Sequence, residues 1–405
     1  MTTTRREFVC ASAVAAAGLA ISPLALSRPF PGPRAGGKSL LILGGTGFIG
    51  PAVQEAAIAR GYTVTLFNRG RAEDRRRNAG SASAVAEGVT VLYGNRDPDK
   101  TADADNDDSR GEKKDPESPK GLTQLEGKAF DAVIDTSGYF PRMVGASARL
   151  LAPKVKQYLF ISTVAVYKDM VRRGGDTTDE LATLADPTVE TFGAKSEFYG
   201  PLKVLCEKEV LAAMPGRATI VRPGYILGRR DNTRRFTSWP VRASQGSEMI
   251  APGSSEDPFM TIDVRDLAEW CVDLIDRRVM DTFDALGPLE GLSWGRALDA
   301  CKAASTNDAR LTWIPGEFLE KQGVLDKMPL WTPATGAWAG IVQRNVEKSV
   351  KAGLKFRDIA DTSRDALEWW KAQPAEVRPK LVRDFPLERE NEVLAAWHKE
   401  GSSAK

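Results

Sequence analysis

Short apolar runs alternate with longer amphipathic segments in the first half of the chain, and this pattern predicts a parallel α/β sheet. The runs that we interpret as strands are Leu40–Leu43, Thr63–Phe67, Thr90–Tyr93, Ala132–Asp135, Tyr158–Ser162 and Thr219–Arg222. Several are almost continuously apolar, as expected for strands that helices cover on both faces. Beyond about residue 223 the pattern is mixed, with shorter strand-like pieces at Met260–Ile262, Thr282–Leu286 and Leu311–Trp313. We therefore predict a doubly wound parallel sheet with a smaller C-terminal α/β substrate lobe.

A glycine-rich turn directly follows the first predicted strand, and an Ala-rich helical segment follows the turn. Glycines at such a turn allow a tight bend, close approach of the backbone to a pyrophosphate, and close packing of helix on strand. The start of the helix adds N–H groups and the positive end of its dipole. The order of strand, turn, helix and strand predicts a dinucleotide-binding Rossmann domain. Its first candidate cofactor-binding residues are Gly44, Thr46, Gly47, Phe48, Ile49 and Gly50.

Composition narrows the function classes. Lys and Arg total 56 and Asp and Glu total 54, so the formal net charge is +2 and gives no general attraction to nucleic acid or acidic membranes. We expect no nucleic-acid partner. His398 is the single histidine, which excludes a multi-histidine site, and the four cysteines have no zinc or redox spacing. No metal is therefore predicted.

The N-terminus has the features of an export signal. Arg5-Arg6 precede Phe8 and a mildly apolar stretch, and Ala25-Leu26-Ser27 offers a small-x-small cleavage site. This arrangement resembles a twin-arginine signal, and the stretch is too short and too rich in Ala and Gly for a membrane span of about 20 residues. We expect residues 1–34 to be a signal and linker that the export machinery recognises, with no stable membrane insertion. The expected location is periplasmic, with a cytoplasmic protein as the alternative.

The rest of the chain divides into two parts. We predict a dinucleotide-binding domain over residues 35–225 and a substrate-binding lobe over most of 226–405, with segments that return to the first domain. Residues 97–120 are dominated by Asp, Lys, Glu, Ser and Pro and contain no large apolar residue. Such a segment buries too little surface to offset its ordering entropy, so we predict a disordered charged loop there.

Tyr199 and Lys203 are candidates for proton chemistry because they stand four residues apart, one helical turn along the same face. A cation beside a phenol favours the phenolate, so we expect Lys203 to lower the pKa of Tyr199 toward neutrality. Ser162 and Thr163 lie at the carboxyl end of the predicted strand upstream. Ligands bind at that edge of open α/β sheets.

These motifs, together with Arg222-Pro223-Gly224 and the segment 262–267, resemble an extended short-chain dehydrogenase/reductase of the NAD-dependent epimerase/dehydratase family over roughly residues 39–290. The resemblance implies that Tyr199 is the acid/base, that Lys203 orients it and a cofactor ribose, and that Thr163 binds the reacting oxygen. Ser162 is the fallback for Thr163. The resemblance also implies cofactor contacts at Asn68, Arg69, Asp97, Thr136, Ser137, Gly138, Tyr199, Lys203, Pro223 and Ile226.

The cofactor itself stays open between NAD and NADP. The second strand ends in Asn68-Arg69, where an Asp or Glu would bind the adenosine ribose of NAD. An arginine at that place can pair with the 2′-phosphate of NADP. The fourth strand also departs from the family, with Asp135-Thr136-Ser137 in place of a His-x-Ala-Ala-like segment.

We therefore expect an NAD(P)-dependent oxidoreductase or epimerase that acts on a sugar-like or other hydroxyl or ketone substrate by hydride transfer. Export argues against nucleotide sugars and favours a tightly held cofactor, because no nicotinamide pool is expected outside the cytoplasm. One alternative is a reductase that exchanges NADPH. Another is a non-catalytic, RNA-binding or regulatory member of the superfamily. By analogy with the family, the protein is expected to form a homodimer.

Overall fold

The computed structural model describes residues 37–71, 73, 83–102 and 117–403. The predicted signal and linker, residues 1–34, and the middle of the predicted charged loop, residues 103–116, lie outside the described residues.

The strands are β1 Ser39–Leu43, β2 Thr63–Asn68, β3 Thr90–Tyr93, β4 Phe130–Asp135, β5 Val155–Ile161, β6 Ala218–Pro223, β7 Tyr225–Leu227, β8 Ser247–Pro252, β9 Thr261–Asp263, β10 Thr282–Ala285 and β11 Ala309–Ile314. The helices are α1 Gly50–Ala59, α2 Pro141–Leu151, α3 Tyr199–Ala213, α4 Ser238–Ala243, α5 Val264–Asp276, α6 Trp294–Ala303, α7 Gly316–Lys321, α8 Glu347–Lys351, α9 Ile359–Lys371 and α10 Leu387–Ser403. Each apolar run that predicted a strand overlaps one, so those strands are confirmed, although Ser162, Met260 and Leu286 lie one residue outside the observed ends.

One parallel sheet of 7 strands organises the fold, in the order β3-β2-β1-β4-β5-β6-β10. The chain runs outward from β1 to β3 and then crosses to β4 on the other side of β1. That crossover makes the gap between β1 and β4 a topological switch point, where ligands bind above the carboxyl ends of strands. The predicted doubly wound Rossmann fold is confirmed.

Both faces of the sheet are covered, which explains the near-continuous apolar strands. Leu40 and Ile42 of β1 pack with α1 and α5 on one face. Leu41 and Leu43 pack with α2 and α3 on the other face, because successive side chains of a strand point in opposite directions. The helix that begins at Tyr199 is therefore held against the sheet by its buried side.

The C-terminal half of the chain builds a second core and also returns to the sheet. Strand β8 pairs with β11, and β7 pairs with β9. Trp294 is the centre of this second core, with Trp239 and Phe259 packed against it at ring-centroid distances of 5.0 and 4.9 Å. Strand β10 and helix α5 instead join the sheet and its covering layer.

The two ends of the predicted charged loop, residues 97–102 and 117–120, are ordered. The prediction of disorder is wrong for these residues. Asp97 is buried, and its carboxylate binds Arg142. Thr101 and Lys120 form an antiparallel bridge that closes the base of the segment. Composition alone missed these anchors because an ion pair and a backbone bridge need no large apolar residue.

Three features complete the description. Cys206, Cys271 and Cys301 are buried free thiols. Within the described ranges, no helix is long and apolar enough to cross a membrane. No group of three or more potential metal-ligating side chains occurs among the same residues.

A buried ion pair ties α3 to the sheet. The guanidinium of Arg222 on β6 donates to both carboxylate oxygens of Glu207 on α3, at 3.0 and 2.7 Å, and also to the Tyr167 hydroxyl at 2.9 Å. Tyr167 in turn donates to Asp284 of β10 at 2.6 Å. All four side chains are buried, so each depends on the others for its hydrogen bonds.

Glu207→Leu is expected to lower the free energy of unfolding by about 3–5 kcal/mol, because it leaves the Arg222 guanidinium buried without its counter-ion. The double variant Glu207→Leu/Arg222→Met should recover most of that loss. Urea unfolding measures both. Glu209→Leu, on the same helix but paired with the exposed Arg149, is the control and should change stability by less than about 1 kcal/mol. A double variant as unstable as the single one would contradict this account.

Candidate active site

A cleft of about 830 Å³ opens at the carboxyl ends of the sheet strands. Most of the residues that the sequence predicted for a site line it: Gly44, Thr46, Gly47, Phe48, Ile49, Asn68, Arg69, Asp97, Thr136, Ser137, Thr163, Tyr199, Lys203, Pro223 and Ile226. The fallback residue Ser162 lines it as well. Segments far apart in the chain meet there because parallel strands all end at one edge of the sheet.

Gly50 and Gly138 were predicted to contact the cofactor, and neither lines the cleft. A Cβ on Gly50 would collide with the backbone of Gly45, so this glycine lets α1 pack on the turn. A Cβ on Gly138 would meet Phe160 and Val144, and its carbonyl accepts a hydrogen bond from Lys203. Both residues support the walls of the cleft from behind.

The glycine turn combines a crowded position with an open one. Gly44 has φ +86°, and a Cβ there would lie 2.5 Å from the Cβ of Ser137. At Gly47 a Cβ would meet only the Gly44 carbonyl, at 3.8 Å. The turn is thus held closely on the β4 side and leaves open space at Gly47, beside the start of α1. A space beside the start of a helix suits a phosphate.

Three buried polar atoms of cleft-lining residues make no hydrogen bond with the residues that the structure describes. They are Nδ2 of Asn68, at the end of β2, Oγ of Ser162, directly after β5, and Nε of Arg96. Burial of an unsatisfied polar group is costly, so such atoms are candidates for ligand contacts. Together with the open space at Gly47, they fit a dinucleotide that lies across the ends of β2, β1 and β5.

Thr163 and Tyr199 lie close together at the wall of the cleft, where the Thr163 side chain acts to lower the pKa of the Tyr199 phenol. Thr163 lies at the start of a 3₁₀ turn, Val164–Val166, where its Oγ1 accepts from the Ala165 N–H at 3.2 Å. Tyr199 is the first residue of α3. Gly200 allows this meeting, because a Cβ there would collide with the Ala165 carbonyl.

Lys203 is buried one turn further along α3. Its ammonium donates to the carbonyls of Gly138, at 2.6 Å, and Ile161, at 2.8 Å. Its Nζ also lies 4.0 Å from the centroid of the Phe160 ring. Burial lowers the pKa of Lys203 to about 8. The lysine therefore links the ends of β4 and β5 to the helix that bears Tyr199.

The prediction that Lys203 lowers the pKa of Tyr199 is wrong for the protein without a bound dinucleotide. Burial raises the pKa of Tyr199 to about 12, whereas the nearby Thr163 side chain and the charge of Arg235 act in the opposite direction. Desolvation of the phenolate outweighs the effect expected of a nearby cation. Tyr199 is accordingly a protonated phenol at neutral pH.

The acidic residues at the far end of the cleft are bound to arginines. Both oxygens of Asp97, predicted as a cofactor contact, accept from Arg142 at 3.0 Å. These hydrogen bonds hold the pKa of Asp97 below its usual value. Asp135 accepts two hydrogen bonds from Arg96, at 2.6 and 2.9 Å. Asp97 is thus at the predicted place, but its carboxylate is shared with a side chain of the protein.

The sequence analysis did not identify the residues on the substrate side of the cleft. Tyr139, Phe192, Tyr225 and Arg235 line it, and the Phe192 ring packs edge-on against Tyr199 with centroids 5.7 Å apart. Tyr139 follows β4, Phe192 follows β5, Tyr225 begins β7 and Arg235 follows β7, and no spacing rule connects them. The one available signal was the position of Tyr225 and Arg235 shortly after the predicted strand that ends at Arg222.

Residues 40–283 match the family model described as the NAD dependent epimerase/dehydratase family. The match spans more than half of the chain, so the chain belongs to this family. Membership supports the prediction of an NAD-dependent enzyme of the epimerase/dehydratase type.

Solved structures share the fold at low sequence identity. A Bordetella bronchiseptica enzyme in complex with NAD⁺ aligns with a TM-score of 0.53 and 14% identity over 83% of this chain and 99% of that one. A human epimerase family protein with NADPH aligns with a TM-score of 0.51 and 16% identity over 82% and 99%. The UDP-Glc/GlcNAc 4-epimerase of Campylobacter jejuni has a TM-score of 0.52, with 16% identity over 82% and 99%. At these identities the likeness establishes the fold.

A curated relative carries a different description. The chloroplast stem-loop binding protein of 41 kDa b from Arabidopsis thaliana is 29% identical over 234 residues, which make up 57% of this chain. The match covers 53% of that protein, so the chain spans about half the length of this relative.

The depressed pKa of Lys203 predicts a pH dependence of stability. Between pH 8 and 10.5 the unfolded chain binds the lysine proton and the folded chain does not, so stability rises with pH across this window. Compared with Lys203→Met, the wild type should gain free energy of unfolding as pH increases from 8 to 10. Urea unfolding at several pH values measures the difference. Lys208→Met, an exposed change on the same helix, is the control. A constant difference between wild type and Lys203→Met would contradict the prediction.

Proposed function

We propose that this protein is an NAD(P)-dependent oxidoreductase or epimerase that interconverts a hydroxyl and a ketone on a small, sugar-like substrate. The observation that carries the proposal is that Thr163, Tyr199 and Lys203 line the same cleft as the glycine turn. A dinucleotide site without a proton donor would only bind, and a tyrosine without the dinucleotide site would have no redox partner.

The residues around the cleft have distinct tasks in this proposal. The dinucleotide, when bound, supplies or accepts the hydride. Tyr199 donates a proton to the substrate ketone oxygen or receives one from the hydroxyl, and Thr163 hydrogen-bonds the same oxygen. Because its pKa is about 12, Tyr199 is ready to donate, and it needs a nearby positive charge to accept. Arg235 is one source of such charge within the protein.

Lys203 contributes by position. An ammonium has three N–H groups, and two of them donate to the carbonyls of Gly138 and Ile161. One N–H is left for a ribose hydroxyl of the dinucleotide. Asn68 and Ser162 add a donor and a hydroxyl at the two ends of the same site.

We also propose that the protein is exported and carries its cofactor tightly bound. The support is the Arg5-Arg6 motif and the apolar stretch behind it, together with the absence of an expected nicotinamide pool outside the cytoplasm. A retained cofactor suits an epimerase or an internal redox cycle better than a reductase that exchanges NADPH at each turnover.

The test is to denature the purified mature protein and identify any released nucleotide by mass spectrometry. The expected result is about one NAD or NADP per chain. Tyr199→Phe should retain that nucleotide, yet it should lose about 10²–10⁴-fold in the rate of hydride transfer, because it lacks the transferable proton. Full turnover by Tyr199→Phe would refute the mechanism. A protein that neither contains nor binds a dinucleotide would refute the enzyme proposal as a whole.

The charges at the adenosine end favour NADP over NAD. Arg69, Arg71 and Lys100 line this end, and β2 ends in the amide Asn68 in place of a carboxylate. The carboxylate of Asp97 is bound by Arg142. A 2′-phosphate would thus meet cations where the ribose of NAD would ordinarily meet an acid.

Arg69→Ala is therefore expected to weaken NADP binding by about 10–100-fold, the range of one charge-assisted hydrogen bond, and to change NAD binding little. Calorimetric titration of nucleotide-stripped protein with NADP and with NAD measures the two dissociation constants for the wild type and for Arg69→Ala. The NAD titration is the internal control, since it reports any general damage to the site. Equal losses for both nucleotides would contradict a contact with the 2′-phosphate.

RNA binding is the second candidate function, and the specific observation in its favour is the description of the Arabidopsis relative as a stem-loop binding protein. The net charge of +2 argues against a large phosphate-binding surface. A mobility-shift titration with a stem-loop RNA at several salt concentrations tests it. Salt-sensitive binding by a protein free of dinucleotide would favour this candidate over the enzyme.

A further inference from the structure

A short loop after β7 forms part of the substrate side of the cleft, and one buried carboxylate holds its shape. Asp231 accepts from the backbone N–H and hydroxyl of Thr233, at 2.9 and 2.5 Å, through one oxygen. Its other oxygen accepts from the N–H groups of Arg235 and Phe236, each at 3.2 Å. These four hydrogen bonds to Asp231 fix the conformation of the loop. The loop therefore presents Asn232, Thr233 and Arg235 to the cleft in a defined arrangement.

The guanidinium of Arg235 is held at one edge and has no carboxylate partner. Its Nε donates to the Thr233 hydroxyl at 2.9 Å, and the group lies 5.3 Å from the centroid of the Tyr225 ring. Its two terminal nitrogens make no hydrogen bond with any residue in the described part of the chain. The pattern differs from that of Arg96 and Arg142 at the other end of the cleft, each of which binds a carboxylate.

Further positive charge lies close to this loop. Burial lowers the pKa of Arg383, and the charges of Arg235 and Arg234 lower it further. Asp231 is the acid nearest in sequence, and its oxygens are already occupied by the loop. The substrate side of the cleft therefore carries a partly buried positive charge that is not balanced by an ion pair at Arg235.

Arg235 also lies near the group that is proposed to react. Its charge acts on the Tyr199 hydroxyl, and both side chains line the same cleft. The Phe192 ring packs against Tyr199 and adds an apolar wall. A small molecule whose oxygen reaches Thr163 and Tyr199 would thus have Arg235 within reach of another of its groups.

We propose that the substrate carries an anionic oxygen group, a carboxylate or a phosphate, near the carbon that reacts, and that Arg235 binds it. This inference rests on the proposed function, because it names the substrate class of the same site. A guanidinium recognises either group with two parallel N–H donors, and both terminal nitrogens of Arg235 are available for that geometry. Thr233 positions Arg235 through its hydroxyl, and Asp231 positions the loop.

The test compares Arg235→Gln with Arg234→Gln in the full mature chain with its bound nucleotide. Arg234 is the matched control, because it is the adjacent arginine of the same loop, is exposed and does not line the cleft. Three probes of similar size are titrated and followed by ligand-observed NMR: glucuronate, glucose 6-phosphate and neutral glucose. The preferred anion distinguishes a carboxylate from a phosphate.

The wild type and Arg234→Gln are expected to bind one of the anionic probes at least ten-fold more tightly than glucose. Arg235→Gln should lose that preference and bind the anion about 10–100-fold more weakly, and Arg235→Lys should recover part of it. Equal binding of all three probes by the wild type, no anion binding, or equal losses in both glutamine variants would overturn the proposal.

The anion-binding test of Arg235 can fail or succeed independently of the tests of the proposed function. Nucleotide release and the Tyr199→Phe rate test the enzyme, whereas anion binding is measured without turnover. A protein that retains dinucleotide and responds to Tyr199→Phe but shows no anion preference would overturn the Arg235 inference alone. Anion binding at Arg235 in a protein without dinucleotide would instead separate the anion site from the enzyme proposal.

Discussion

The buried ammonium of Lys203 is the interaction on which the geometry of the candidate site depends. It joins the carbonyl after β4 to the carbonyl at the end of β5, at 2.6 and 2.8 Å, from a position on α3. Burial of a charge is costly, and the lowered pKa of Lys203 reflects that cost. The two hydrogen bonds and the Phe160 ring offset it in part. One turn earlier, Tyr199 is thereby placed against Thr163 at the edge of the sheet.

Charge around the cleft is arranged in two different ways. The ion pairs of Arg96 with Asp135 and of Arg222 with Glu207 are buried, and they hold strands and helices in place. Arg235 instead has a hydroxyl and an aromatic ring as its contacts. Arg96 and Arg222 thus stabilise the fold around the cleft, whereas Arg235 faces into the cleft.

Family membership and fold do not by themselves decide the activity. The solved neighbours include an epimerase, and the curated relative is described as a stem-loop binding protein, although both are similar to the same domain. One fold serves several functions, so the activity depends on the residues of the site. Here the site retains a protonated tyrosine, its threonine partner and a glycine turn with open space for a phosphate.

The sequence by itself determined the sheet and the glycine turn, and it predicted that Thr163, Tyr199 and Lys203 belong to one site; all three line one cleft. Strand periodicity and the motif after β1 are local signals, and local signals are readable without tertiary structure. It also placed Asn68 and Arg69 at the end of β2. It could not show that Asp97 is bound by Arg142, since the two are 45 residues apart.

Only the tertiary structure decided the protonation of the site and its substrate side. The pKa of Tyr199 depends on burial by Phe192 and other residues from separate loops, so the nearby lysine alone gave the wrong direction. Arg235 reaches the cleft because Asp231 holds a loop that no spacing rule marks. Desolvation and long-range ion pairing are properties of the packed chain, and sequence distance carries no information about either.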